Sequence, residues 1–110
     1  MAQIMRSMEV ARDGSFSLRA KTWTDNIALA AGGGEALYTV PAGAAHVVFS
    51  ANGDFYANYD LTASIPSSAI LDGASSELNP VVRRINDVAV IHLISPSGGA
   101  TNVTIKVYQD

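Results

Sequence analysis

Short runs of alternating apolar and polar residues dominate the chain from Ser15 onward. In residues 102–108, Val103, Ile105 and Val107 alternate with Thr104 and other residues that tolerate water. Residues 46–51 alternate in the same way. A period of two is typical of β-strands that bury one face. The pattern therefore predicts two half-buried strands, with the three apolar residues of 102–108 facing a core.

One further run is apolar on both faces. Residues 88–94 are interrupted only by His92. A short, nearly continuous apolar run is typical of an interior strand covered on both sides. We expect this strand either to lie within a sandwich or to meet another subunit. Weaker runs predict strands at residues 15–23, 27–30, 35–40, 55–59, 61–65 and 81–85.

Turn signals separate these runs. Asn52-Gly53 lies between two of them, and Asn-Gly between alternating segments is a strong hairpin signal because both residues tolerate positive φ. We therefore predict a hairpin that joins 46–51 to 55–59. Asp25-Asn26 and the run 32–34, which is three glycines, are predicted as turns for the same reason.

These runs give about eight short strands in about 95 residues, a pattern typical of an antiparallel sandwich of jelly-roll or immunoglobulin-like type. The chain has no cysteine to form the immunoglobulin disulfide. We therefore predict an all-β, antiparallel, jelly-roll-like sandwich over residues 15–110, with a short N-terminal arm over residues 1–14.

The arm carries all three methionines of the chain. Met1, Ile4, Met5 and Met8 fall at helical spacing, although so short a helix is marginal alone. The segment is either a frayed end or strap over its own sandwich, or an arm that docks elsewhere. These four residues are the candidate docking contacts.

Composition excludes several classes of function. The 110 residues are 48% hydrophobic and 15% charged, with a net charge of −3 and no cysteine. The acidic balance gives no broad basic surface for nucleic acid. No apolar run is long enough to span a membrane, and the N-terminus lacks the core of a signal peptide. We expect no nucleic-acid or membrane partner.

The sequence contains no motif that indicates catalysis or metal binding. His46 and His92 lie within predicted strands, and no G-x-S-x-G nucleophile turn occurs. Asn52, Asp54, Asp60 and Asp72 offer oxygen ligands near turns, but their spacing fits no EF-hand, and side chains of this kind also stabilise turns. We predict a protein that is not an enzyme and that has no metal or cofactor.

Arg83-Arg84 is the only adjacent basic pair. In a strand the two side chains point to opposite faces, so one risks burial unless it meets a carboxylate. Glu77, Asp87 or a neighbouring subunit could supply that carboxylate. We predict that Glu77, Arg83 and Arg84 lie at a subunit interface.

Aromatic side chains suggest a second function. Sugars stack on exposed aromatic faces, and Trp23 and Tyr56 are candidate platforms. Core or interface packing is the competing interpretation for these residues.

Several sequence words resemble small β-sandwich proteins from the structural gene clusters of tailed bacteriophages. They are spread over roughly residues 22–109. The words are TVPAGA (39–44), VVFSA (47–51), DFY (54–56), ASIP (63–66), DG (72–73), SELNP (76–80), Arg83, IHLISP (91–96) and VT (103–104).

The resemblance implies a virion structural protein without catalytic residues. It implies a decoration or cement protein that binds the major capsid protein on the outer capsid surface as a homo-oligomer, with a trimer favoured, and that stabilises the shell. The alternative is a carbohydrate- or receptor-binding module on a tail, collar or fibre, since fold alone does not fix function.

Overall fold

The structure is a computed structural model, and it describes residues 8–10, 16–18, 23–31, 33–96 and 100–109. Ten strands lie in these residues, and no helix occurs among them. The strands are β1 (Met8–Val10), β2 (Phe16–Leu18), β3 (Trp23–Leu29), β4 (Ala36–Thr39), β5 (Ala44–Ala51), β6 (Tyr56–Tyr59), β7 (Glu77–Leu78), β8 (Val82–Arg84), β9 (Val90–Ile94) and β10 (Thr101–Gln109).

Eight of the strands form two four-stranded antiparallel sheets. The first sheet has the order β3-β10-β5-β8 and the second has the order β4-β9-β6-β7. The chain passes repeatedly between the sheets, and this order is that of a jelly roll. The predicted all-β antiparallel sandwich is therefore confirmed.

The core lies between the two sheets. Val103, Ile105 and Val107 are fully buried on β10, as their alternation predicts, and Ile91 and Leu93 are fully buried on β9. Burying an aliphatic side chain of this size stabilises the fold by roughly 1.5–3 kcal/mol. The other core residues are Leu29, Tyr38, Ala44, Val47, Phe49, Phe55, Ala57 and Ile85.

The β9 strand lies inside the second sheet, between β4 and β6, which confirms the interior strand predicted at 88–94. Its outward side is covered by the chain itself. Asn58 lies directly opposite His92, is buried, and donates from Nδ2 to the carbonyl oxygens of Thr62 and Ala74. The β6–β7 connection, residues 60–76, therefore crosses the outer face of this sheet.

The hairpin predicted at Asn52-Gly53 is wrong. The two edges of β5 pair with β10 and β8, so β6 finds no free edge there and pairs with β9 and β7 instead. Asn52 binds β10, because its Oδ1 accepts from the Asn102 amide at 2.9 Å. The turn carries the chain from one sheet to the other.

Two other predictions are wrong. Asp25-Asn26 is not a turn, because β3 runs through it as an edge strand, where polar residues on one side stay near water. Residues 61–65 are not a strand. There the amides of Ala63 and Ser64 donate to the side chains of Glu35 and Ser76 and not to a neighbouring strand.

The N-terminal strands pair only with each other among the described strands. Met8 lies opposite Leu18, and Val10 lies opposite Phe16. A helix that continues through Met8 is therefore wrong. Met1, Ile4 and Met5 lie outside the described residues, and the arm boundary between residues 14 and 15 stays a prediction.

Candidate functional site

An ion pair closes one open side of the sandwich. Glu77 lies opposite the buried Ala57, and Arg83 lies opposite the buried Val47, so both side chains face inward from edge strands of different sheets. Arg83 Nη2 lies 2.5 Å from Glu77 Oε2, and its Nε lies 3.0 Å from each carboxylate oxygen. Of the alternatives that the sequence left open for the arginine pair, the structure places the Glu77 carboxylate beside Arg83 within one chain.

The pair changes the titration of its members and of a neighbouring tyrosine. Hydrogen bonds from Arg83 hold the pKa of Glu77 below its ordinary value, and those bonds raise the pKa of Arg83. Burial raises the pKa of the Tyr59 hydroxyl, and the Glu77 carboxylate raises it further. Glu77 is therefore held as a carboxylate at neutral pH.

Arg84 lies on the opposite face of β8. Its Nε donates to Asn86 Oδ1 at 2.6 Å. It lines a surface pocket of about 360 Å³ with Asn86, Asp87 and Val88. Arg83 binds Glu77 and Arg84 binds Asn86 on opposite faces of β8, so the two arginines do not form one site within the chain. Their placement at a subunit interface stays a prediction.

A hydrogen-bonded cluster closes the other open side. Asp25 on β3 accepts from the Tyr38 hydroxyl at 2.6 Å and from Trp23 Nε1 at 2.7 Å. Tyr38 belongs to β4, so its bond to Asp25 joins the remaining edge strands of the two sheets. Burial raises the pKa of Tyr38, with the bond to Asp25 adding to the increase. Sequence reasoning missed this cluster because Asp25 was assigned to a turn.

The two candidate sugar platforms do not come together. Trp23 is 49% exposed at the β3 edge of the first sheet. Tyr56 lies opposite Leu78 and Ile94 in the second sheet, on the outer face of β6. Trp23 is held by its bond to Asp25. No single groove therefore contains both aromatic rings.

The polar residues at turns bind the backbone. The Asp60 carboxylate accepts from the amides of Ala89 and Val90, and Asp72 accepts from the Ala74 amide. The Asp72 bond is local and matches the turn-stabilising role, whereas the Asp60 bonds reach the start of β9, 29 and 30 residues along the chain. Across the described ranges, no three His, Asp or Glu side chains group so that they could hold a metal ion.

Asn79 joins the segment between β7 and β8 to the turn between β5 and β6 at one end of the sandwich. It adopts a positive φ of 49°. Its Oδ1 accepts from the Phe55 amide, and its Nδ2 donates to Asp54 Oδ1, both at 2.9 Å. An open pocket of about 400 Å³ lies beside it, bordered by Phe49, Val81 and the 50–55 turn. The side chains of Asn52, Asp54 and Asn79 in its lining have partners within the chain.

Of the two histidines, His92 has a described acidic partner. His92 Nδ1 lies 3.2 Å from Glu35 Oε2, which also accepts from the Ala63 amide at 2.7 Å. The Glu35 carboxylate thereby holds the β6–β7 connection against β9. His46 is buried on β5.

The surface exposes many large apolar side chains, which the alternation pattern missed. Leu71 is 94% exposed, at the β6–β7 connection. No signal in the sequence could have identified this exposure, because a segment without strand periodicity gives no inward or outward direction. The other large apolar residues with substantial exposure are Trp23, Leu37, Leu61, Ile65, Ile70, Leu78, Val81 and Val82.

Within the described residues, no helix is long and apolar enough to cross a membrane. A comparison of the chain with protein-family models, with curated proteins and with solved structures finds no match.

Proposed function

We propose that the chain is a non-enzymatic virion protein of a tailed bacteriophage, a decoration protein. It binds the major capsid protein on the outer capsid surface as a homo-oligomer, with a trimer favoured, and stabilises the shell. The resemblance in residues 22–109 motivates this proposal. The jelly-roll sandwich supports it as the kind of fold that the resemblance implies.

The observation that carries the proposal is the exposed apolar surface. Leu37, Leu71 and Val81 are each at least 60% exposed, in a chain with only 15% charged residues. Exposed apolar side chains supply contacts for binding another protein where they lie in one contiguous patch. Several weak contacts of this kind, joined in one oligomer, give strong binding when their geometry matches a lattice.

The polar groups of the described chain support a binding role over a chemical one. The turn carboxylates bind backbone amides, and the Glu77 and Asp25 carboxylates join the sheet edges. These groups stabilise the scaffold on which the apolar side chains are displayed.

Co-sedimentation with empty shells tests the proposal. We expect the purified chain to sediment with shells assembled from the major capsid protein of the same phage, at a saturating ratio that fits lattice positions. Deletion of residues 1–14 is expected to weaken this binding. Failure of the full chain to sediment with the shells at any concentration would contradict the proposal.

The alternative is a carbohydrate- or receptor-binding module on a tail, collar or fibre. The specific observation in its favour is the 49% exposure of Trp23. A glycan array separates the two functions. Glycan binding that is lost in Trp23→Ala and kept in Tyr56→Ala would favour the alternative, and a blank array beside shell binding favours decoration.

A further inference from the structure

A closed loop forms most of the β6–β7 connection. The Asn58 side chain donates from Nδ2 to the carbonyl oxygens of Thr62 and Ala74, so one buried amide holds both ends of residues 63–73. Asp72 Oδ1 accepts from the Ala74 amide and shapes the turn that ends the loop. A compact surface loop whose ends meet is frequently a functional segment. We call residues 63–73 the 63–73 loop.

The 63–73 loop displays apolar side chains next to one acid. Leu71 is 94% exposed, and Ile65 and Ile70 are exposed on the same loop. Asp72 follows Leu71, is exposed, and is the only charged residue of the loop. A surface that binds this loop must therefore offer apolar contact beside positive charge.

The outer face of the first sheet offers both features. Val48 and Val82 lie directly opposite each other, with Val48 half-buried and Val82 exposed. Lys106 lies opposite Val48 on its other side, and Arg84 follows Val82 by two residues, so the four side chains share one face. Lys106 and Arg84 are exposed. We call these four residues the valine patch.

Positive charge is concentrated in the valine patch. The only lysines and arginines in residues 23–109 are Arg83, Arg84 and Lys106, and Arg83 is paired with Glu77. The other two belong to the patch. None of the paired residues that face outward from the first sheet is acidic. The patch and the 63–73 loop are therefore complementary in charge as well as in their apolar side chains.

The free edges of the sheets are poorly suited to joining two copies. Three of the four edge strands carry a charged side chain that faces inward, namely Asp25 on β3, Glu77 on β7 and Arg83 on β8. A strand added at such an edge would bury the charge, and inward-facing charges are one means by which edge strands avoid pairing with another chain. Copies of this chain are therefore expected to meet through faces and loops.

We propose that the 63–73 loop of one copy docks on the valine patch of the next copy, with Leu71 against the valines and Asp72 beside the cations. This contact builds the homo-oligomer, so the inference rests on the proposed function. The loop lies on the outer side of the second sheet and the patch on the outer side of the first, so the sandwich separates them within one chain. The contact is therefore head-to-tail. It closes into a ring, such as the favoured trimer, when the rotation between successive copies divides a full turn.

Two complementary variants test the contact. Leu71→Asp damages the loop and keeps the patch, whereas Val82→Asp damages the patch and keeps the loop. In a head-to-tail contact each variant alone lacks one half of every interface, but a mixture of the two retains one intact interface in each mixed pair. We expect each variant to be monomeric where the wild type is oligomeric, and the mixture to form a dimer with one copy of each. Light scattering coupled to size exclusion measures these masses.

Leu78→Asp is the matched control. Leu78 is 52% exposed on β7 and belongs to neither the loop nor the patch. This substitution is expected to leave the dissociation constant of the oligomer unchanged, whereas Leu71→Asp and Val82→Asp should each raise it by about tenfold or more. Circular dichroism and urea unfolding check that every variant folds. Lys106→Glu takes the place of Val82→Asp if that variant does not fold.

Three results would each overturn the contact. They are a wild-type chain that is monomeric at every concentration, a single variant that oligomerises as the wild type does, and a mixture of the two variants that stays monomeric. Co-sedimentation with shells separates such a failure from failure of the proposed function. A chain that gives any of these results and still binds shells loses the contact and keeps the function, whereas a head-to-tail oligomer that binds no shell keeps the contact and loses the function.

Discussion

Arg83 and Glu77 join the free edges of the two sheets through an ion pair in which Nη2 lies 2.5 Å from Oε2. The two residues are six positions apart in the chain, and the β7–β8 crossover brings their strands to the same side of the sandwich. At the opposite side Asp25 and Tyr38 join the other two edge strands through a hydrogen bond. Each open side of the sandwich is therefore closed by one polar interaction between the sheets.

The ion pair is expected to contribute modestly to stability. Its side chains are 44% and 37% exposed, so water screens their attraction and the coupling energy should be about 0.5–1 kcal/mol. Urea unfolding of Arg83→Ala, Glu77→Ala and the double variant measures this coupling. Arg84→Ala is the matched control, because within the described part of the chain Arg84 binds Asn86 and no acid. Additive effects of the two substitutions would show that the pair does not stabilise the fold.

The same pair predicts a pH dependence. Hydrogen bonds from Arg83 lower the pKa of Glu77 in the folded chain, so the unfolded chain binds a proton more readily. The stabilisation that the ionised Glu77 gives to the folded chain is therefore fully present above the ordinary glutamate pKa. It is lost as the pH falls through the lowered pKa that Glu77 has in the folded chain. Chemical unfolding of the wild type and of Glu77→Gln between pH 7 and pH 3 (roughly the window in which carboxylates titrate) measures it. The stability difference should shrink on acidification, and a constant difference would contradict the prediction.

Tyr38→Phe tests the closure at the other side of the sandwich. The substitution removes a hydroxyl that donates to the Asp25 carboxylate at 2.6 Å. Hydrogen bonds to charged groups contribute roughly 1.5–3 kcal/mol. We expect a loss at the lower end of that range, because Asp25 also keeps its bond from Trp23. Tyr56→Phe is the control. If both substitutions lower the unfolding free energy equally, the Tyr38–Asp25 bond does not stabilise the contact between the two edge strands.

Asn79→Ala tests the bonds that join the segment between β7 and β8 to the turn between β5 and β6. It removes the acceptor for the Phe55 amide and the donor to Asp54, and it puts alanine at a positive φ of 49°. We expect a loss of roughly 2–3 kcal/mol in unfolding free energy from the lost bonds and the backbone strain. Asn79→Gly should regain only the part of the unfolding free energy that alanine loses through backbone strain, because glycine restores neither hydrogen bond. If glycine and alanine destabilise equally, the backbone conformation contributes nothing.

Local alternation predicted the interior of the fold better than its connections. Val103, Ile105 and Val107 were identified because a buried strand repeats every two residues. The hairpin predicted at Asn52-Gly53 was wrong because these two residues favour a tight turn in either case. The turn is equally suitable whether the next strand pairs with β5 or crosses to the other sheet. That choice depends on β10 and β8, which occupy both edges of β5 and lie far along the chain.

Among the site residues, too, the local sequence pattern predicts some features, whereas others depend on which distant strands meet. The need of either Arg83 or Arg84 for a carboxylate could be predicted, because strand alternation turns one of two adjacent arginines inward. Which arginine turns inward, and which carboxylate it meets, could not be predicted. The bond between Asp25 and Tyr38 could not, because it requires knowing which edge strands face each other. The exposure of Leu71 also escaped prediction, since a segment without periodicity gives no inward or outward direction.

Thermal unfolding of shells tests the central claim most directly. A protein that binds assembled coat and not dissociated coat stabilises the shell by mass action. Empty shells are therefore heated with and without saturating amounts of the chain, with occupancy confirmed by co-sedimentation. We predict a higher melting temperature for the decorated shells, with a smaller increase when residues 1–14 are deleted. An unchanged melting temperature at full occupancy would contradict the account.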